Sequence, residues 1–198
     1  MQTAQTEERW QAFSERVTWQ GHPHLAVEPF AATPDDVARL NERNLHVLRT
    51  LASLDERRFE SAADVDDPVM QELQRMDSKL NVLLDIVDRL LLPATVLPPR
   101  QPVSFNAVGL IVPAGLLPPD GPLLIRMHFE ACRALPLELL VQQGKAVGND
   151  NVFLYFRDLS EAVEDGLERF VFCHHRRKVA EARLSGIPET VPGHKHRM

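Results

Sequence analysis

Apolar residues between Val69 and Leu90 recur at alternating steps of four and three: Val69, Leu73, Met76, Leu80, Leu83, Val87 and Leu90. This is an unbroken heptad seam, the pattern of a helix that packs along its whole length against other helices. With Leu73 at a and Met76 at d, Leu84 and Leu91 fall at e and Ile86 at g. That apolar face is wider than a two-stranded seam requires and favours a bundle of more than two helices. Asp67-Pro68 starts this helix and Pro93 ends it, because the residue before a proline resists the helical conformation. At ~1.5 Å per residue the segment is a rod of about 36 Å. The seam is either the face of a buried core helix or an oligomerisation face. Its width and length favour the second, a trimer or tetramer ahead of a dimer.

A first helix precedes it. Thr33-Pro34-Asp35-Asp36 combines an N-cap threonine, proline at the first helical position and acids in the first turn. The helix runs to about Phe59 with a seam of Val37, Leu40, Asn44, Val47, Leu51 and Leu54. Asn44 either occupies a core slot, where it would fix register and partner number, or lies at a solvated edge. The acidic turn at 60–67 joins the two helices, which are expected to form an antiparallel hairpin projecting from the body.

Elsewhere the periodicity is that of strands. Short runs lie near 16–19 and 25–30, behind a short polar helix or coil. Others span Val103–Asn106, Val108–Val112, Leu123–Phe129, Leu137–Val147 and Val152–Phe156, separated by Pro- and Gly-bearing turns. Asp158-Leu-Ser-Glu161 reads as a capping box. The helix it opens carries Val163, Leu167, Phe170 and Val171 on one face and ends near Gly186. Strands without interleaved helices indicate a small antiparallel barrel, and the fold class is α+β.

Charge narrows the partners. The net charge of −6 over 198 residues argues against a general nucleic-acid binder. Seven Lys/Arg against two acids from 169 to 198 give a local +5 and leave −11 on 1–168. Cys132 and Cys173 have no paired-ligand spacing, so neither a disulfide framework nor a zinc site is expected. Cys173-His174-His175 cannot converge on one metal, since adjacent helical positions point about 100° apart. No GxSxG, Walker loop or HExxH is found, and nothing asks for an enzyme. No signal peptide or 18-residue apolar run is visible, so a cytoplasmic protein without a membrane span is expected.

The strands, the proline turn and a terminal helix reading FRDLSEAVEDGLERFVFCHHRRKVAEAR resemble the PilZ domain, most clearly from Pro98 to Arg183. The resemblance implies a small six-stranded barrel with a C-terminal helix, many members of which bind cyclic di-GMP. It further implies a divergent subgroup in which heptad helices interrupt the barrel and drive tetramer assembly. Residues 1–30 and 94–185 would form the barrel, 31–93 the two-helix coiled-coil insertion, and 186–198 a flexible tail. The family grips its ligand with an Arg-x-x-x-Arg ahead of the first strand and an Asp/Asn-x-Ser-x-x-Gly on early strands. Here the second element reads Ser104-Phe105-Asn106-Ala107-Val108-Gly109: Gly109 matches, and Ser104 and Asn106 keep polarity but not identity. Ahead of the first strand stand only Arg9 and Arg16, seven apart. The Arg39–Arg43 pair is helical and coincidental, and Arg100 is a lone phosphate candidate. The resemblance therefore implies a non-enzymatic adaptor in cyclic di-GMP signalling, binding the dinucleotide weakly or not at all and needing no cofactor. Its partners would be its own copies and a signalling protein. The alternative is a genuine receptor whose arginines come from elsewhere.

Overall fold

The computed structural model describes residues 2–60, 72–73, 75–76, 79–80, 83, 86–87, 90, 96–119, 121–148 and 150–184. Helix α1 (Gln2–Ser14) is followed by β1 (Trp19–Gly21), β2 (His24–Pro29) and helix α2 (Pro34–Glu60). After the heptad segment come β3 (Val103–Phe105), β4 (Gly109–Pro113), β5 (Leu123–Phe129), β6 (Cys132–Val147) and β7 (Asn151–Phe156). Helix α3 (Glu161–Leu184) ends the described chain.

The sheet is antiparallel and seven-stranded, in the order β1-β3-β4-β7-β6-β5-β2. Its two outermost strands, β1 and β2, are consecutive in sequence and separated by only His22 and Pro23. So short a link forces the sheet to curl until its edges meet. The chain entering β3 ties the edges together: Leu25 N–H donates to Pro99 O, Gln101 N–H donates to Pro23 O, and Arg100 bridges His24. The resemblance implied six strands; here the N-terminal piece supplies two, one at each edge.

Alternation along the strands sends one set of side chains inward. Leu25, Val103, Phe105, Leu110, Val112, Ile125, Met127, Leu139 and Leu154 form the buried interior with Val163, Leu167, Phe170 and Val171 of α3. Each full burial of this kind contributes roughly 1.5–3 kcal/mol before chain entropy is subtracted. Phe170 stacks on Phe105 and meets Phe129 edge-on, closing one mouth of the curl. Helix α3 is capped by Ser160, whose Oγ accepts from Val163 N–H. The predicted box at Asp158 is thus displaced by two residues, and Asp158 itself adopts a left-handed φ of 56°. Asn41 of α2 holds that turn, donating Nδ2–H to Asp158 O and accepting from Ser160 N–H.

Helix α2 departs most from expectation. Its seam from Val37 to Leu51 is covered by this sheet and α3, where the second helix was expected to cover it. Leu40 packs on Leu124 and Leu140 of the outer face, while Val47, Leu48 and Leu51 join the interior cluster. Its N-terminus follows prediction: Thr33 Oγ accepts from Asp36 N–H, and Thr33 N–H and Oγ–H both donate to the Asp36 carboxylate. Asn44 is 1% exposed. It is neither a register pin between helices nor a solvated residue. β7 ends opposite Val141, so Glu138 on β6 has β5 on one side and no strand on the other. Asn44 fills that place, donating Nδ2–H to Glu138 O at 2.7 Å and accepting from Glu138 N–H at 2.8 Å. Its carboxamide acts as one residue of an eighth strand.

Glycine at 109 is required by packing. A Cβ there would lie 2.2 Å from Leu154 O and 2.9 Å from Tyr155 Cα, so β4 and β7 would have to separate.

Three outcomes follow. Asn44→Ala should lower the unfolding free energy by about 2–4 kcal/mol in denaturant titration, because a buried N–H and C=O both lose their partner. Gly109→Ala should cost about 1–3 kcal/mol by overpacking, read as a lower melting temperature. The Thr33 hydrogen bonds, with Arg39 beside them, hold the Asp36 carboxyl at about 2 against 3.8 in its ordinary state. A lowered folded value means the cap is fully stabilising above 3.8 and is lost as pH falls toward 2. In Thr33→Val, NMR titration should find the Asp36 value raised only part of the way to the ordinary one, because the backbone N–H of residue 33 and Arg39 still hold the carboxylate.

Candidate functional site

The residues of the Ser104–Gly109 element occupy one strand and its following turn, with different surroundings. Ser104 is half-buried on the outer face of β3, between Gln20 and Ile111 in register. Asn106 is 2% exposed and fully engaged: Nδ2–H donates to Phe13 O of α1 and Oδ1 accepts from Val108 N–H. Gly109 backs directly onto Tyr155 across the β4–β7 pairing. Arg100 lies where the sheet edges meet, donating to His22 O and to the Glu130 carboxylate. None of these four residues lines either cleft described below. Arg39 and Arg43 are held on α2 by Asp36 and Glu138, and Arg16 pairs with Glu168 of α3.

The outer face carrying this element is roofed by α1. Trp10 and Phe13 pack on Val108, Ile111, Phe153 and Tyr155. Lys145 reaches up from β6 to the Glu7 carboxylate at 3.1 Å and lies over the Trp10 ring. Asn106 anchors the C-terminal end of the same helix. A polar network stands beyond β5: Arg126 pairs with Glu28 and Glu138, and Arg43 with Glu138. The Glu138 hydrogen bond raises the Arg126 guanidinium above its ordinary pKa and keeps it charged.

A cleft of about 500 Å³ opens between the first half of α1 and the β7–α3 junction, bordered by Gln5, Arg9, Gln142, Tyr155, Arg157 and Asp158. A smaller one of about 180 Å³ lies across the same turn, against Phe30, Ala32 and Leu140. The convergence of Arg9 and Arg157 was not readable from the sequence. Arg9 stood out only as an unpaired member of an absent arginine motif, and Arg157 as the start of the terminal helix signature.

The second candidate region is the heptad segment. Among the described residues, Leu73, Met76, Leu80, Leu83, Val87 and Leu90 are helical, and each is between 48% and 76% exposed. Val69 and Leu84 lie outside the described residues, as do the acidic turn at 61–67 and the tail at 186–198. The described part of the seam is therefore an exposed apolar stripe. His174 of the terminal helix packs edge-on against Phe170 and Trp19. No group of three or more metal-ligating side chains occurs among the described residues, and none of their helices is long and apolar enough to cross a membrane.

A search of curated proteins gives no match. Among solved structures, the fold is similar to a protein of Xanthomonas campestris described as a new tetrameric PilZ domain self-assembled via an unusual helical bundle. The two are 20% identical, with a TM-score of 0.64 over 88% of this chain and 97% of the other. Residues 48–184 match the family described as atypical PilZ domain, cyclic di-GMP receptor. That match takes in the end of α2, the heptad segment, five strands and the terminal helix, and the chain belongs to the atypical PilZ family.

Proposed function

We propose that the protein is a non-enzymatic regulatory adaptor of cyclic di-GMP signalling, which self-assembles as a tetramer through residues 68–92. In this reading cyclic di-GMP binds weakly or not at all at the Ser104–Gly109 element. Residues 1–30 and 94–185 form the presenting barrel, and the later part of 31–93 carries assembly. Its further partner is a signalling protein of the cytoplasm, met by several barrels at once with the avidity that multiple copies provide.

The engagement of Asn106 carries the ligand half of this reading. Its amide is committed to α1 and to its own turn, so guanine would have to displace protein hydrogen bonds that are already satisfied. Arg100 is likewise spent on Glu130. The exposed heptad stripe supports the assembly half, since an apolar face of this length is costly in water. The tetrameric description of the Xanthomonas protein points the same way. A second reading, a genuine receptor, is favoured by the family's own description and by Arg100 standing four residues ahead of Ser104 with half its side chain exposed.

Light scattering should give a mass of four chains for the full-length protein, unchanged by cyclic di-GMP. Leu80→Asp with Leu83→Asp should reduce it to one chain, and an unaltered mass in that variant would remove the assembly half. Calorimetry should detect no low-micromolar binding of cyclic di-GMP; such binding, lost in Arg100→Ala, would replace the adaptor with the receptor.

A further inference from the structure

Helix α1 is held at one end. Its apolar residues are Ala4, Trp10, Ala12 and Phe13, and of residues 4–14 only Phe13 is buried. The side chains that pack on the sheet, Trp10, Ala12 and Phe13, all lie in its second half. The first half borders the cleft of about 500 Å³. No acid stands in its first turn and no base in its last, so its dipole is unsupported. A 13-residue helix of this composition is marginal alone in water. Lys145 ties Glu7 at 3.1 Å, but both side chains are solvent-exposed, and pairs of that kind contribute little. Elements with so few buried contacts open locally more often than the strands beneath them.

The surface under α1 is built to receive rings. Phe153 lies across β6 at Gly144, where a Cβ would come within 2.9 Å of the ring. The missing side chain makes room for it, and β6 shifts register between Gln143 and Ala146 at the same place. Val108 and Tyr155 join Phe153 in one buried cluster, with Ile111 packed against it. Trp10 and Phe13 rest on the Phe153 ring with centroids 5.2 and 5.0 Å away. Two polar groups fix where a helix must lie. Asn106, 2% exposed, donates Nδ2–H to the Phe13 carbonyl at the end of α1. It meets main chain and not a side chain, so it suits the last turn of any helix seated there. Lys145 marks the other end, its ammonium serving both the Glu7 carboxylate and the face of Trp10.

We infer that this outer face of β4, β7 and β6 is a docking surface for an amphipathic helix of a protein partner, and that α1 covers it until that helix arrives. The recognised helix presents a carboxylate, a ring three residues on and a second ring three further, as Glu7, Trp10 and Phe13 do. Residues three apart are neighbours on a helix surface, and an apolar helix face laid on an apolar surface is a recurrent mode of recognition. The incoming helix replaces α1 contact for contact, so the exchange strands no buried polar group. A longer or better-capped helix displaces α1, whose hold is two rings and one carbonyl. The inference rests on the adaptor reading only in requiring a protein partner. It uses neither the assembly seam nor the dinucleotide half of that reading.

A fluorescein-labelled peptide of residues 2–14, added to the full-length protein and followed by anisotropy, tests this. Trp10→Ala removes one ring of the resident helix. Gln11→Pro, at an exposed position, breaks the helix without touching the surface beneath. The peptide should bind each variant about tenfold or more tighter than it binds the unaltered protein. Hydrogen exchange should find α1 opening faster than β4 and β7 in the unaltered protein. Lys145→Glu should weaken the peptide in the Gln11→Pro background, and a peptide carrying Glu7→Lys should recover it. Thermal melting shows whether each variant is folded, and if Trp10→Ala melts early, Gln11→Pro decides the comparison. Binding no tighter in the folded variants than in the unaltered protein would overturn the inference, as would no binding up to millimolar peptide. So would α1 amides exchanging as slowly as those of β4 and β7, or a charge exchange without recovery. Light scattering on the same samples separates the other occupant. An assembly mass that falls in both variants puts α1 of a second copy on the surface and overturns the partner's helix. An unchanged four-chain mass with no peptide binding removes this surface and leaves the adaptor standing.

Discussion

One carboxamide decides how helix and sheet are joined in this protein. β6 outruns β7, which leaves the backbone of Glu138 facing a side with no strand. In a dry interior such groups need partners, and a second full strand is the usual supply. Asn44 provides both partners from a helix. Everything α2 does next depends on that seat. Leu40 reaches the outer face, Leu48 sits against Gly166 of α3, and Asn41 sets the turn from which α3 begins. The helix crosses the open end of the sheet as a clamp, and the heptad segment departs from its far end.

The two faces of the curled sheet are put to different uses. The inner face is closed by α3 and α2 with apolar contacts throughout. The outer face, where the family's polar element lies, is partly covered by α1 through Trp10, Phe13 and the Asn106 anchor. Covering that face stabilises the domain by burying Val108 and Phe153. It also engages the Asn106 amide of that element.

Much of the fold could be read along the chain. The strands from Val103 to Phe156 are bounded by turn residues, and their apolar runs survive within a residue or so as β3, β4, β5 and β7, while β6 begins at Cys132, five residues ahead of the expected Leu137. Thr33-Pro34 starts α2 where cap chemistry places it. The seam of α2 misled because a 3–4 spacing reports that one face is buried, not whether a helix or a sheet buries it. Asn44 was visible as an exception in that seam; its role was not, since the end of β7 opposite Val141 is a fact of pairing, not of local sequence. Asp158 and Ser160 both suit a cap, and only the left-handed turn decides between them. The candidate site was least legible. Gly109 and Asn106 are ordered by contacts to Tyr155 and Phe13 from distant parts of the chain, and Arg9 borders the same cleft as Arg157 only because α1 lies across β7.

The two-residue link between β1 and β2 carries a consequence for how the molecule is made. Those strands emerge early from the ribosome, yet β1 can pair only with β3 and β2 only with β5. Each must wait for a stretch of chain that includes all of α2 and the heptad segment. Closing so long a loop is slow, though its entropic cost grows only logarithmically with length. Helix α2 within the waiting segment can form on far shorter timescales. In the order of synthesis, then, the apolar stripe at 73–90 is made before the strands that complete the sheet.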